Sequence, residues 1–134
     1  MTTRFHIPEE ERTYLRQLAQ RQADIAALPV MEERKRMWYA LNDARPGARP
    51  PVIIETWTFD RDFMPENIYH CQSELGRQIE NRLLRNIRNH ELIDDDKVIP
   101  HTFDIGWFIE QDEFGVYIPR KSVKDADNIE TGYE

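Results

Sequence analysis

At 134 residues the chain has the size of one domain or a part of one, and a core forms only if most of its elements pack together. Its formal net charge of −7 speaks against a concentrated basic surface for nucleic acid, and its single cysteine, Cys71, excludes an internal disulfide framework and a multi-cysteine metal site. With 40% apolar and 32% charged residues, no window near the roughly 18 apolar residues of a membrane span and no signal-peptide core at Met1–His6, a cytoplasmic globular protein is expected.

The first predicted element is a helix that starts at Ile7-Pro8-Glu9-Glu10-Glu11, where proline fits the first turn and the glutamates complement the helix dipole. It runs to about Leu28, with Tyr14, Leu15, Leu18, Ile25 and Leu28 near one face. Pro29 breaks the run. A shorter helix follows over Met31 to Leu41, with Met37, Trp38 and Leu41 apolar, and the proline- and glycine-punctuated stretch Ala44 to Pro51 ends it. These two helices form an N-terminal arm over residues 1–48.

Val52-Ile53-Ile54, bounded by prolines, reads as a short strand over Pro51 to Thr56 that is buried on both faces. Residues Trp57 to His70 then form a long connection rich in aromatics, which packs down on the fold. The third helix, about Cys71 to Leu92, places Leu75, Ile79, Leu83 and Ile87 at successive i, i+4 positions with Leu84 alongside. Its arginines, Arg77, Arg82, Arg85 and Arg88, alternate with Glu74, Glu80 and Glu91 and read as a solvated face. Asp94-Asp95-Asp96 reads as a solvated turn, and Cys71 as a small buried residue.

A second strand is expected over Lys97 to Ile105, then a hairpin over Trp107 to Pro119 and a weakly patterned acidic tail. A helical crossover between two such strands implies that they are parallel. The expected fold is therefore α/β: the helical arm, then, over residues 49–134, the first β-α-β unit of a TIM-barrel-like fold, incomplete, with a C-terminal hairpin. Parallel strands with open edges, followed by no closing helix, point to oligomerisation or to membership of something larger.

Several phrases carry a family resemblance. The run from Leu15 to Leu28, Pro29-Val30-Met31-Glu32-Glu33-Arg34-Lys35-Arg36-Met37-Trp38-Tyr39-Ala40-Leu41-Asn42-Asp43, and Arg49-Pro50-Pro51-Val52-Ile53-Ile54-Glu55 resemble the N-terminal region of the uroporphyrinogen decarboxylase-like proteins. That group includes the corrinoid-dependent methyltransferases, and the likeness extends through the third helix to Trp107. It implies the opening portion of a (β/α)₈ barrel enzyme of the decarboxylase or methyltransferase class, without a complete active site. A corrinoid or tetrapyrrole ligand belongs to the complete barrel, and no cofactor to this chain. The decarboxylase's Phe-X-Asp-Ile phrase is matched only as Phe103-Asp104-Ile105, without the intervening residue, and its arginine-rich loop only by Arg61. Both departures argue against porphyrinogen decarboxylation itself.

On the expected parallel pair, Glu55 and Asp104 end neighbouring strands on one sheet edge, where α/β folds place their chemistry, and are the candidate catalytic residues. Trp57, His70 and Trp107 are candidates to line a ligand site there. His101 lies three residues before Asp104, so alternation sends it to the other face as a packed histidine, while His6 and His90 read as surface residues. No metal site is expected. The expected partners are the remaining barrel segment or a second copy, with a small-molecule substrate and neither nucleic acid nor membrane. A second reading is a small α+β interaction module that oligomerises through its strand edges.

Overall fold

The computed structural model describes residues 6–106, 115, 119, 121–127 and 130–133. They fall into two compact units, Met1–Phe103 and Asp104–Glu134.

In the first unit, helix α1 spans Glu9–Ala26, with Pro8 extended at its N-cap and three glutamates in the first turn. Its buried face is Leu15, Leu18, Gln22 and Ile25, the i, i+3, i+4 spacing of one helical stripe. Only Ala27 and Leu28 separate it from helix α2, Pro29–Asn42, which starts on a proline because the first helical position needs no N–H donor. Helix α2 ends in a Schellman turn: Ala44 takes a left-handed φ of 48°, its N–H donates to the Leu41 carbonyl, and the Arg45 N–H returns to the Ala40 carbonyl.

The connection after residue 56 is folded, as its aromatics require. It contains a 3₁₀ turn Trp57–Phe59, the one-turn helix α3 Asp60–Phe63 and a second 3₁₀ turn Glu66–Ile68, with Phe63 and Met64 buried. Helix α4, Glu74–Arg88, is capped by Ser73, whose hydroxyl accepts from the Gly76 N–H. It widens into a π-type turn over Asn89–Ile93, closed by Asp94 in the left-handed conformation. Helix α1 packs along α4, and the core joins Leu15, Leu18 and Ile25 of α1 to Met31 of α2, Phe63, Met64 and Cys71 of the connection, Leu83, Leu84 and Ile87 of α4, and Ile99.

The expected α/β unit is not what forms. Neither Pro51–Thr56 nor Lys97–Ile105 is a strand; the described strands are β1, Ser122–Lys124, and β2, Glu130–Tyr133, an antiparallel pair in the second unit, within the tail that was expected to lack pattern. The first unit is helical, so the incomplete TIM barrel is corrected to a helical unit followed by a short antiparallel pair. The hairpin expected from Trp107 falls almost wholly outside the described residues.

The reason for the missing ladder is visible in its hydrogen bonds. One rung exists, from the Asp96 N–H to the Val52 carbonyl at 2.9 Å. In a parallel ladder the Asp96 carbonyl would then receive the Ile54 N–H. That carbonyl instead accepts the Trp38 indole N–H from α2 at 3.0 Å, and the Ile54 N–H turns to the Asp95 carboxylate at 2.8 Å. Val52, Ile53 and Ile54, expected to be covered on both faces, remain 56%, 47% and 47% exposed.

Candidate functional site

Of the expected site residues, Glu55 ends the extended segment on the surface, and its Oε2 accepts the Trp57 indole N–H at 2.6 Å. Trp57 is 71% exposed, so these two side chains pair with each other in the open. Asp104 is exposed at the start of the second unit, and the common sheet edge meant to unite it with Glu55 is absent among the described residues. Trp107 lies outside the described residues. His70 sets its ring against Tyr14 of α1, with centroids 4.8 Å apart. His101 is exposed, not packed, whereas His90 is partly buried beside Asp94.

The densest group of titratable side chains lies elsewhere, where α1 meets the start of α4. Four consecutive amides of the link before α4 all donate to two glutamates. His70 and Cys71 give their N–H groups to Glu80 Oε1 and Oε2 at 2.7 and 2.9 Å, and Gln72 and Ser73 give theirs to Glu11 Oε1 at 2.8 and 3.2 Å. The Ser73 hydroxyl donates to Glu11 Oε2, which ties the α4 cap to α1. Glu80 is fully buried and also meets the Tyr14 hydroxyl and the Cys71 thiol.

This cluster is a structural clasp. Burial, the negative charges of Glu80 and Glu11, and hydrogen bonds to both carboxylates push the Cys71 thiol up to about 12, so at neutral pH it is protonated and a poor nucleophile. Burial and Glu80 likewise push the Tyr14 phenol up to about 12. Burial acts to raise Glu11 as well, but the donors at Ser73 and Gln72 outweigh it and hold this carboxyl below its ordinary range. Both oxygens of Glu80 are already occupied by amide donors. Its signal in the sequence was Glu80, which falls on the same helical side as Gly76 and Leu83–Leu84 and not on the arginine face where it was placed.

Two further groups that the sequence suggests are merely solvated instead hold specific partners. Asp94 pairs with the buried guanidinium of Arg34 at 2.7 Å, and the same guanidinium donates to the Lys97 carbonyl at 3.1 Å. Asp95 holds the Ile54 N–H, and Asp96 holds the Val52 N–H at 2.8 Å and Arg49 at 2.8 Å. The bond from Val52, followed by Arg49, keeps the Asp96 carboxyl below its usual value. The triple aspartate thus receives α2 and the extended segment, in place of a solvated turn.

The arginines of α4, in turn, fasten the connection to the helix. Arg77 pairs with Glu66 and lies over the Tyr69 ring at 3.7 Å, Arg85 grips Asp60 at 2.7 and 2.8 Å, and Arg88 donates to the Phe63 carbonyl at 2.7 Å. Arg82 covers the Phe103 ring at 4.3 Å.

Among the described residues, no group of three or more His, Cys, Asp or Glu is placed to hold a metal ion, and no helix is long and apolar enough to cross a membrane. Compared with models of protein families, with curated proteins and with solved structures, the chain matches none. Among the described residues, the segment Val52–Trp57 is a continuous, largely exposed surface feature. It presents three aliphatic side chains, a carboxylate and an indole to solvent, and its backbone is supported from one side by aspartates.

Proposed function

We propose that this chain is the N-terminal portion of a uroporphyrinogen decarboxylase-like enzyme, of the decarboxylase or corrinoid-linked methyltransferase class, and holds no complete active site by itself. The resemblance rests on the phrases in α2 and in Arg49–Glu55. The observation that carries the reading is the half-exposed run Val52-Ile53-Ile54. Contiguous aliphatic residues with no polar face are placed for covering by other protein, not for contact with water. Glu55 then supplies a carboxylate to a site whose remaining groups, including any corrinoid or tetrapyrrole, come from the rest of the enzyme, which acts on a small molecule in the cytoplasm.

The test is to express the chain with and without the reading frame that follows it. Methyl transfer to a corrinoid, or decarboxylation of uroporphyrinogen, is expected only from the longer product, with slowed amide exchange at residues 52–54. A longer product that lacks both activities and leaves these amides unprotected would sink the proposal.

One observation favours a second reading, a self-associating interaction module. Among the described residues, the backbone groups of Ile53 and Glu55 have no hydrogen-bond partner. Light scattering decides it: this reading expects a defined dimer and no affinity for tetrapyrroles or corrinoids.

A further inference from the structure

We propose that the segment Pro51–Glu55 pairs antiparallel with the same segment of a second copy, across a two-fold axis at Ile53; this rests on the self-association reading. In an extended chain the N–H and C=O of residue i point to one edge and those of residue i+1 to the other. The Val52 N–H and C=O are bonded inward to Asp96 and the Ile54 N–H to Asp95, so by alternation Ile53, Glu55 and the Pro51 carbonyl face outward. The aspartates hold the segment extended before any partner arrives, which lowers the ordering cost of pairing.

The outward row is self-complementary. Centred on Ile53, two copies exchange both N–H···O=C bonds of that residue, and each Glu55 N–H meets the Pro51 carbonyl of the other, for about four bonds in all. The absent N–H of Pro51 removes only the outermost donor. Residues whose numbers add up to twice that of the central residue stand opposite each other, so Glu55 faces Pro51 and lies diagonal to Arg49 of the other copy. Arg49 is already paired with Asp96, so the diagonal adds little attraction, but no like charges stand directly across. Prolines at one end and the 3₁₀ turn at Trp57 at the other end stop the ladder and block growth into a fibre. So short a ladder buries less than the roughly 1,200 Å² typical of stable complexes, so the dimer is weak and depends on concentration.

Sedimentation across a wide concentration range is expected to show a monomer–dimer equilibrium, weakened about tenfold or more in Ile53→Pro, which loses the two central bonds but keeps the inward ones. Circular dichroism of that variant checks that its helices are intact. Mild oxidation provides a second measurement that does not depend on the proline. Ile53→Cys should cross-link, because Cα atoms of a hydrogen-bonded antiparallel pair stand about 5.5 Å apart, within disulfide reach. Ile54→Cys faces Val52 of the other copy and should not. The buried Cys71 thiol stays out of the reaction.

A dimer undiminished in Ile53→Pro, or equal cross-linking at both positions, overturns the pairing while leaving self-association through another face. A monomer at every concentration, with no cross-link, overturns both.

Discussion

The Trp38 indole N–H donates at 3.0 Å to the Asp96 carbonyl, the same acceptor that a parallel ladder would offer to Ile54, whose N–H goes to the Asp95 carboxylate. Helix α2 thereby holds the end of the α4 region at the position where sheet pairing would otherwise start. Trp38→Phe keeps the ring and removes the donor. Stability is expected to fall by about 1 kcal/mol, read by urea unfolding. In amide exchange Ile54 should stay protected, because the Asp95 carboxylate still accepts its N–H. Loss of Ile54 protection would mean that the bond from Trp38 also keeps Asp95 in place.

Gly76 occupies a place that no side chain fits. A Cβ there would stand 2.4 Å from Glu11 Oε2 and 2.5 Å from Ser73 Oγ, at the centre of the clasp. Alanine normally stabilises a helix interior by about 1 kcal/mol relative to glycine. Here Gly76→Ala should destabilise by about 1–3 kcal/mol, since the cap and the carboxylate must separate. A rise in thermal midpoint would show that the Glu11 side chain swings away at no cost.

Glu80 is buried with two amides in its grip. Glu80→Ala leaves those donors unpaired and should cost about 2–4 kcal/mol. The accompanying signature is chemical: without the carboxylate the link around Cys71 loosens, and a thiol reagent should label Cys71 much faster than in the parent. Unchanged labelling at reduced stability would mean that burial alone protects the thiol.

Ala44 sits at a left-handed φ of 48° in the turn that ends α2, a conformation glycine adopts without steric cost. Ala44→Gly is expected to raise stability by about 0.5–1 kcal/mol, visible as a higher thermal midpoint.

The pH dependence of stability should have two arms. Glu11 titrates below its ordinary 4.5 in the folded chain, so its contribution is present above that value and is lost as the pH falls through the lower folded value. Cys71 titrates at about 12 when folded against an ordinary 9.0, so stability falls as the pH rises between those limits. Glu11→Gln should reduce the acid arm and, because the Glu11 carboxylate also helps to hold the Cys71 thiol up, shrink the alkaline arm to a smaller extent. An unchanged acid arm would show that Glu11 gains no stability from its donors.

The first two helices and α4 were legible in the sequence because their cause is local. Pro8 marks the first helix start, and Leu83 and Ile87 repeat at the helical period, whatever else the chain does; Pro29, read as a break with the next helix from Met31, is itself the first residue of α2. The apolar run Val52-Ile53-Ile54 was equally legible as an extended segment. Its burial was not, because apolar composition states what a residue prefers and not whether a covering layer is present. In the same way, Glu80 and the triple aspartate read as solvated charge, since a carboxylate in a sequence carries no sign of the amides that reach it from residues about ten or forty positions away.

The sequence by itself therefore determined where the chain coils into helices, because helix periodicity and capping act over a few neighbouring residues. Only the tertiary structure decided whether the two extended segments become a sheet. That choice shows in which acceptor takes the Ile54 amide: the Asp95 carboxylate holds it, while the Asp96 carbonyl that a ladder would use receives the Trp38 indole of α2. These groups lie far apart in the chain and meet only through tertiary packing.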